Sequence, residues 1–554
     1  LKLYSMEFLD WLVIGVFFLA LIGIIVWVVR QKQNNSADYF LGGRDATWLA
    51  IGASIFASNI GSEHLIGLAG AGASSGMAMA HWEIQGWMIL ILGWVFVPFY
   101  TRSMVYTMPE FLERRYNPQS RTILSVISLV SYVLTKVAVT VYAGGLVFQQ
   151  VFGIKELWGI DFFWIAAIGL VLLTAVYTIF GGMKSVLYTS VLQTPILLLG
   201  SLIILVLGFK ELGGWDEMIR TCSAVTVNEY GDTMTNLIRN NGDPNFPWLG
   251  ALIGSAIIGF WYWCTDQFIV QRVLSGKNQK EARRGTIFGA YLKLLPVFLF
   301  LIPGMIAFAL HQHSLAAGGE GFLPLLANGS ANADAAFPTL VAKLLPAGVK
   351  GLVVCGILAA LMSSLASLFN SSAMLFTIDF YKRFRPQTSE KHLVTIGQIA
   401  TVVIVILGIL WIPIMRSVGD VLYTYLQDVQ SVLAPGIAAA FLLGICWKRT
   451  SAQGGMWGLI SGMVIGLTRL GAKVYYSNAG EAGDSLFKYL FYDMNWLFFC
   501  GWMFLFCIIV VIVVSLLTKA PTAEKIQGLV FGTATAEQKA ATRASWDKWD
   551  VIHT

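Results

Sequence analysis

Charge is what this chain has least of. Only 12% of its 554 residues are Asp, Glu, Lys or Arg, about half the share a soluble domain carries. A water-soluble enzyme of this size is excluded on that ground alone. Nucleic acid is not an implied partner either: the net charge is +6, but the basic residues lie in short loops between apolar runs. Histidine is scarce, at six residues, and no His/Glu zinc motif or paired-aspartate arrangement falls inside a span, which argues against an intramembrane enzyme. Cysteine is as rare. Cys264, Cys355, Cys446, Cys500 and Cys507 sit within apolar runs and Cys222 stands alone, so no disulfide framework is implied. What the chain does have is apolar length, with 56% hydrophobic residues. It reads as an all-α, polytopic membrane protein embedded in a lipid bilayer.

Thirteen stretches are long enough to cross a bilayer, which takes about 20 apolar residues. Their cores are 8–29, 48–72, 77–100, 122–149, 160–180, 186–208, 248–271, 286–310, 348–377, 393–415, 420–446, 453–471 and 493–517, here numbered helix 0 to helix 12. The connections then fall alternately on two sides. One set carries Arg30, Lys32 and Arg44; Arg102, Arg114, Arg115 and Arg121; Lys184; Arg272, Lys277, Lys280, Arg283 and Arg284; Lys382, Arg383 and Arg385; Lys448 and Arg449. The other set is nearly bare of basic residues. Positive charge accumulates on the cytoplasmic side, so the expectation is a plasma (inner) membrane protein with its N-terminus outside and its C-terminal segment cytoplasmic. Trp546–Thr554 reads as the lead-in to a further span.

Helix 1 is wrong for lipid in its middle. Ala57-Ser58-Asn59-Ile60-Gly61-Ser62-Glu63-His64 places polar side chains where hydrocarbon would sit. Backbone that leaves the helix at membrane depth is tolerated only inside protein or beside a water-filled cavity, and such breaks hold solutes and ions in secondary transporters. Other spans carry isolated polar groups, which are functional by default at that depth. Helix 2 has His81-Trp82-Glu83-Ile84-Gln85, helix 6 runs through Tyr262-Trp263-Cys264-Thr265-Asp266, helix 7 has Lys293, and helix 10 opens with Tyr423 and Gln427. Donors and acceptors mixed with flat aromatic faces suit a polar, ring-shaped solute such as a sugar. In helix 8, Ser363, Ser367 and Ser371 recur every four residues beside Ala360 and Ser364. Two readings stay open there: close packing through small residues, or hydroxyl ligands for Na⁺.

Taken in order, FASNIGSEHLIGLAG, GGMKS, FWYWCTDQFIVQR, YLKLLP, LMSSLASLFNSSAMLFTIDFY and YLQDVQSVLAPGIAAAFLLGICWKR resemble the sodium/solute symporter family, and within it the sodium/glucose cotransporters. The resemblance runs from about residue 36 to 517. It implies a LeuT-type core of 5+5 inverted repeats with helices 1 and 6 broken. The corresponding division is 1–47 for helix 0 and a linker, 48–208 for repeat 1, 209–247 for an extracellular loop, 248–446 for repeat 2, 447–517 for helices 11 and 12, and 518–554 for the C-terminal segment.

The same resemblance implies the site. His64, Glu83, Lys293 and Gln427 would contact sugar, with Tyr262 as the floor, Trp263 beside it and Asn59 bridging to the break. Leu68, Trp82 and Tyr423 would form the outer gate and Tyr262 the inner one. The coupling ion Na⁺ would take the carbonyls of Ala57, Ile60 and Ala360 and the hydroxyls of Ser363 and Ser364. Three positions depart from the family pattern. Gly259 replaces a hydroxyl or amide facing the sugar, Ser190 replaces an acid, and Ala366 a hydroxyl. The expected function is therefore Na⁺-driven uptake of a neutral glucose- or galactose-type hexose. The alternatives are a symporter for myo-inositol or another polyol, and a sugar sensor on the same scaffold.

Overall fold

The computed structural model describes residues 6–554 except 62, 327, 419–421, 479–482 and 484; for 134, 412, 414–418, 422–428 and 477–478 it describes the backbone only. Among the described residues, ten helices are long and apolar enough to cross a membrane. One of them, Phe162–Leu212, is 51 residues long and contains both helix 4 and helix 5. Dividing it, and adding the broken helix 1 and Ala452–Asn478, brings the total to about thirteen. The division falls at Gly182, whose φ of 55° and ψ of −149° no helix accommodates. A Cβ there would also lie 2.4 Å from the Tyr39 carbonyl oxygen. A two-residue hairpin, Glu156–Leu157 with Ile160–Asp161, joins helix 3 to helix 4.

Both breaks expected from the sequence are present. Helix 1 runs as Trp48–Asn59, turns out of helical geometry at Ile60 (φ −77°, ψ 103°) and resumes from Glu63 to Ser74, its first six residues in wider, π-type winding. Helix 6 runs as Trp248–Phe260, loosens through Trp261–Thr265, becomes extended at Asp266 (φ −77°, ψ 127°) and resumes as Gln267–Leu274. Asp266 caps that second half, accepting from the Phe268 amide at 3.3 Å. Helix 1 packs against helices 5, 7 and 8. That is why its residues from Ala50 to Ile60 are all buried although four of them are polar or glycine.

Helix 0 is not a loose addition. Asp10, 1% exposed in a helix of otherwise apolar residues, accepts from the backbone amides of Gly348 and Gly351, both at 2.7 Å. It therefore caps helix 8, Val349–Met374, from a different helix. The C-terminal segment folds back on the end of the molecule that bears the basic loops. Arg284 holds Asp550 (2.6 Å) and Asp547 (3.1 Å), Arg283 donates to Ser545 Oγ (2.6 Å), and the Phe531 amide donates to the Ile445 carbonyl (2.9 Å). Partial burial alone would raise the Asp550 carboxyl, but the Arg284 hydrogen bond, the backbone hydrogen bond at Asp547 and the Arg284 and Lys280 charges together outweigh it and hold the group below the ordinary carboxylate range.

Gly182→Ala should lower stability by about 3 kcal/mol, since it combines a forbidden backbone region with a backbone clash. Thermal unfolding in detergent would read this as a markedly lower midpoint. An unchanged midpoint would show that the join between helices 4 and 5 does not need this conformation.

Candidate functional site

Asn59 is the last residue of the first half of helix 1, so its side chain projects where the backbone abandons the helix. It links three elements. Its Nδ2 donates to Tyr262 Oη on helix 6 (3.0 Å), and its Oδ1 accepts from Lys293 Nζ on helix 7 (2.6 Å). Lys293 also pairs with Glu83 Oε2 of helix 2 at 2.5 Å and lies 2.9 Å from His64 Nε2. His64 in turn lies 3.3 Å from Glu83 Oε1. Asn59, His64, Glu83 and Lys293 are each 8% exposed or less. Two opposite charges withdrawn from water together, with amide and imidazole partners taking the remaining valences, avoid most of the penalty of burying either alone.

Aromatic faces complete the cavity. Trp263 stands perpendicular to Tyr262 at 4.8 Å between ring centres, and the Lys293 ammonium lies 5.6 Å from the Trp263 ring. Leu68 and Trp82, expected as gate residues, are buried and line the same cavity, and Trp82 meets Trp496 at 5.4 Å. The cavity left among these side chains is small in this structure, about 30 Å³, room for water and not for a ring solute. The side chains of Gln427 and Tyr423 lie outside the described residues; their backbone belongs to helix 10, Leu422–Cys446.

Of the residues expected to hold Na⁺, Ser364 and Ile60 are brought together. Ser364 Oγ donates to the Ser58 carbonyl (2.8 Å) and reaches the Ile60 carbonyl at 3.4 Å, so helix 8 occupies oxygens that the break in helix 1 sets free. Ser363 Oγ lies 3.4 Å from Ser190 Oγ on helix 5. Ala57, Ile60, Ala360, Ser363 and Ser364 are all buried, none above 5% exposure. This chemistry suits a small hard cation, which prefers oxygens.

Several residues near the site were not assigned to it from the sequence. Glu63 and Gln85 line the cavity. Lys136 lies 4.8 Å from the Tyr262 ring centre and pairs with Asp266 at 2.8 Å, while Tyr132 donates to the same carboxylate. Lys136 is a lone lysine in an apolar span, the same signal that singled out Lys293. Arg272 reaches Ser58 Oγ from below at 3.1 Å.

Two broken helices meeting at a buried polar pocket define a secondary transporter. The architecture matches a solved Na⁺-coupled sialic acid symporter, captured substrate-bound and outward-open, with a TM-score of 0.74 over 93% of this chain and 99% of that one at 22% identity. The likeness shows the fold, which is of the LeuT type. The sodium:solute symporter family model matches residues 39–462, and the chain belongs to that family. It is 38% identical to human (Homo sapiens) sodium/myo-inositol cotransporter 2 over 538 residues, covering 95% of this chain and 79% of that protein. It is 36% identical to Danio rerio sodium/glucose cotransporter 4 over 539 residues, covering 94% and 80% respectively. The protein is thus a multi-pass, Na⁺-coupled solute symporter and not an enzyme.

Breaking the buried pair from one side should cost about 3–5 kcal/mol, because it strands the other charge. Glu83→Gln and Lys293→Met should each unfold earlier in detergent. The double variant should recover most of the loss while remaining inactive. Single variants as stable as the parent would mean that the pair is not closed in the folded protein.

Proposed function

We propose that the solute is a neutral cyclic polyol, a pyranose hexose of the glucose or galactose type or myo-inositol, carried inward with one Na⁺ by alternating access. The observation that carries this reading is the Asn59–His64–Glu83–Lys293 cluster. Its one carboxylate is paired with its one ammonium, so it offers donors and acceptors together, and Glu63 in the same lining disfavours an anionic solute. Tyr262 and Trp263 add faces for the C–H side of a ring. Relatives named for myo-inositol and for glucose agree with the class and favour neither member.

In this reading His64, Glu83, Lys293, Asn59 and Gln427 hold ring hydroxyls, and Leu68, Trp82 and Tyr423 close above them. Tyr262 closes below. Na⁺ takes the Ala57, Ile60 and Ala360 carbonyls with the Ser363 and Ser364 hydroxyls, displacing the Ser364 hydrogen bonds and fixing the break of helix 1 against helix 8. The side with the basic loops faces the cytoplasm of a plasma (inner) membrane, so the N-terminus is outside and the C-terminal segment inside. One Na⁺ entering at −100 mV releases about 2.3 kcal/mol. A tenfold gradient adds about 1.4 kcal/mol, together enough for several-hundred-fold accumulation. A second Na⁺ near helices 5 and 8 would need a counter-charge, and Ser190 and Ala366 supply none.

Proteoliposomes with an imposed Na⁺ gradient should concentrate at least one of D-glucose, D-galactose and myo-inositol. Binding without accumulation would instead make the protein a sensor. Ser364→Ala removes one oxygen ligand while keeping a small residue in the helix contact. It should raise the half-activating Na⁺ concentration about tenfold, equivalent to roughly 1.4 kcal/mol, at unchanged protein yield. Reversal potentials should give one charge per solute, and a ratio near two would overturn the one-ion assignment.

A further inference from the structure

Gln85 is a polar side chain that the pair chemistry of the site leaves unused. It sits two residues beyond Glu83, where helix 2 tightens into a 3₁₀ turn, Gln85–Trp87, and this turn aims it into the cavity that Glu83 and Lys293 line. Its Oε1 is buried and has no hydrogen-bond partner among the described residues. A buried amide oxygen left in that state costs about 1–3 kcal/mol, so the position is maintained for something that binds there.

The surroundings are shaped for this side chain. A Cβ at Gly259 of helix 6 would lie 2.7 Å from Gln85 Oε1 and 3.3 Å from Gln85 Cβ. Any larger residue at 259 would push the amide from its place. The next residue, Gly86, carries the Lys293 stem, since a Cβ there would meet Lys293 Cγ at 2.3 Å. One turn of helix 2 therefore sets a carboxylate on the Lys293 ammonium, lets the lysine stem lie against its backbone, and extends an amide across Gly259.

Resting on the polyol reading above, we infer that Gln85 is a direct substrate-binding residue that takes over, from helix 2, the hydroxyl contact that Gly259 cannot make from helix 6. A primary amide both donates and accepts, as a ring hydroxyl does, so one Gln85–hydroxyl contact satisfies the orphaned oxygen and fixes the ring's orientation relative to the Glu83–Lys293 pair.

The test uses the full chain in proteoliposomes, with whichever of D-glucose, D-galactose and myo-inositol the parent accumulates. Failure of all three in the parent would overturn the polyol reading itself. With a transported substrate in hand, Gln85→Ala should raise its half-saturation concentration about tenfold, while Na⁺ still raises the unfolding temperature as in the parent. Gly259→Asn alone should weaken uptake at least as much, through collision with Gln85. Gln85→Ala/Gly259→Asn should recover to within about threefold of the parent, the new amide replacing the old. Among monodeoxy analogues of the substrate, one should be indifferent to Gln85→Ala. A half-saturation concentration for Gln85→Ala within twofold of the parent would overturn the inference. A double variant no better than Gly259→Asn would do the same. Loss of the Na⁺ effect in Gln85→Ala would make the side chain structural and overturn it too.

Discussion

The structure depends on one unfavourable fact: helix 1 stops hydrogen-bonding to itself where water is scarce. Between Asn59 and Glu63 its backbone groups need partners from other elements, since an unsatisfied group in hydrocarbon costs several kcal/mol. The neighbouring helices are arranged to supply them. Helix 8 brings Ser364 to the Ser58 and Ile60 carbonyls. Helices 6 and 7 hold the side-chain amide of Asn59, the last residue before the break, with Tyr262 and Lys293. The solute cavity and the ion-compatible oxygens are thus two consequences of one repair.

The cavity is closed on itself. Lys293 already holds Glu83 and Asn59, so an arriving polyol exchanges hydrogen bonds instead of adding them to empty space. Exchange of this kind yields modest affinity and sharp discrimination, because a solute missing one hydroxyl leaves a buried group unpaired. A transporter benefits from that balance, since a solute held too tightly is not released. Lys136 and Asp266 form a second buried ion pair beside the Tyr262 ring.

Much of this was legible in the sequence because membrane burial makes polar residues conspicuous. The break in helix 1 announced itself as Ser58, Asn59 and Glu63 within an apolar run, and Lys293 as the one lysine of its span. Helix 6 was marked by Thr265 and Asp266. What stayed hidden was pairing across helices. Nothing local tells that Lys136 meets Asp266, 130 residues away, or that Asp10 reaches Gly348. The direction of Gln85 was equally unreadable, since it depends on a local tightening of helix 2 and on the missing side chain at Gly259. The docking of the C-terminal segment was hidden in the same way, since Arg284 and Trp94 fix it to the protein through Asp550 and Trp546.

The cap that Asp10 places on helix 8 sets the size of the cooperative unit. Two backbone amides of the helix that carries Ser363 and Ser364 end on a carboxylate from outside the repeated core. Strip helix 0 away and those amides face lipid with nothing to receive them. The ten repeated helices are therefore not an autonomous machine with an optional leader. Helix 0 and helix 8 are coupled in stability through that one carboxylate.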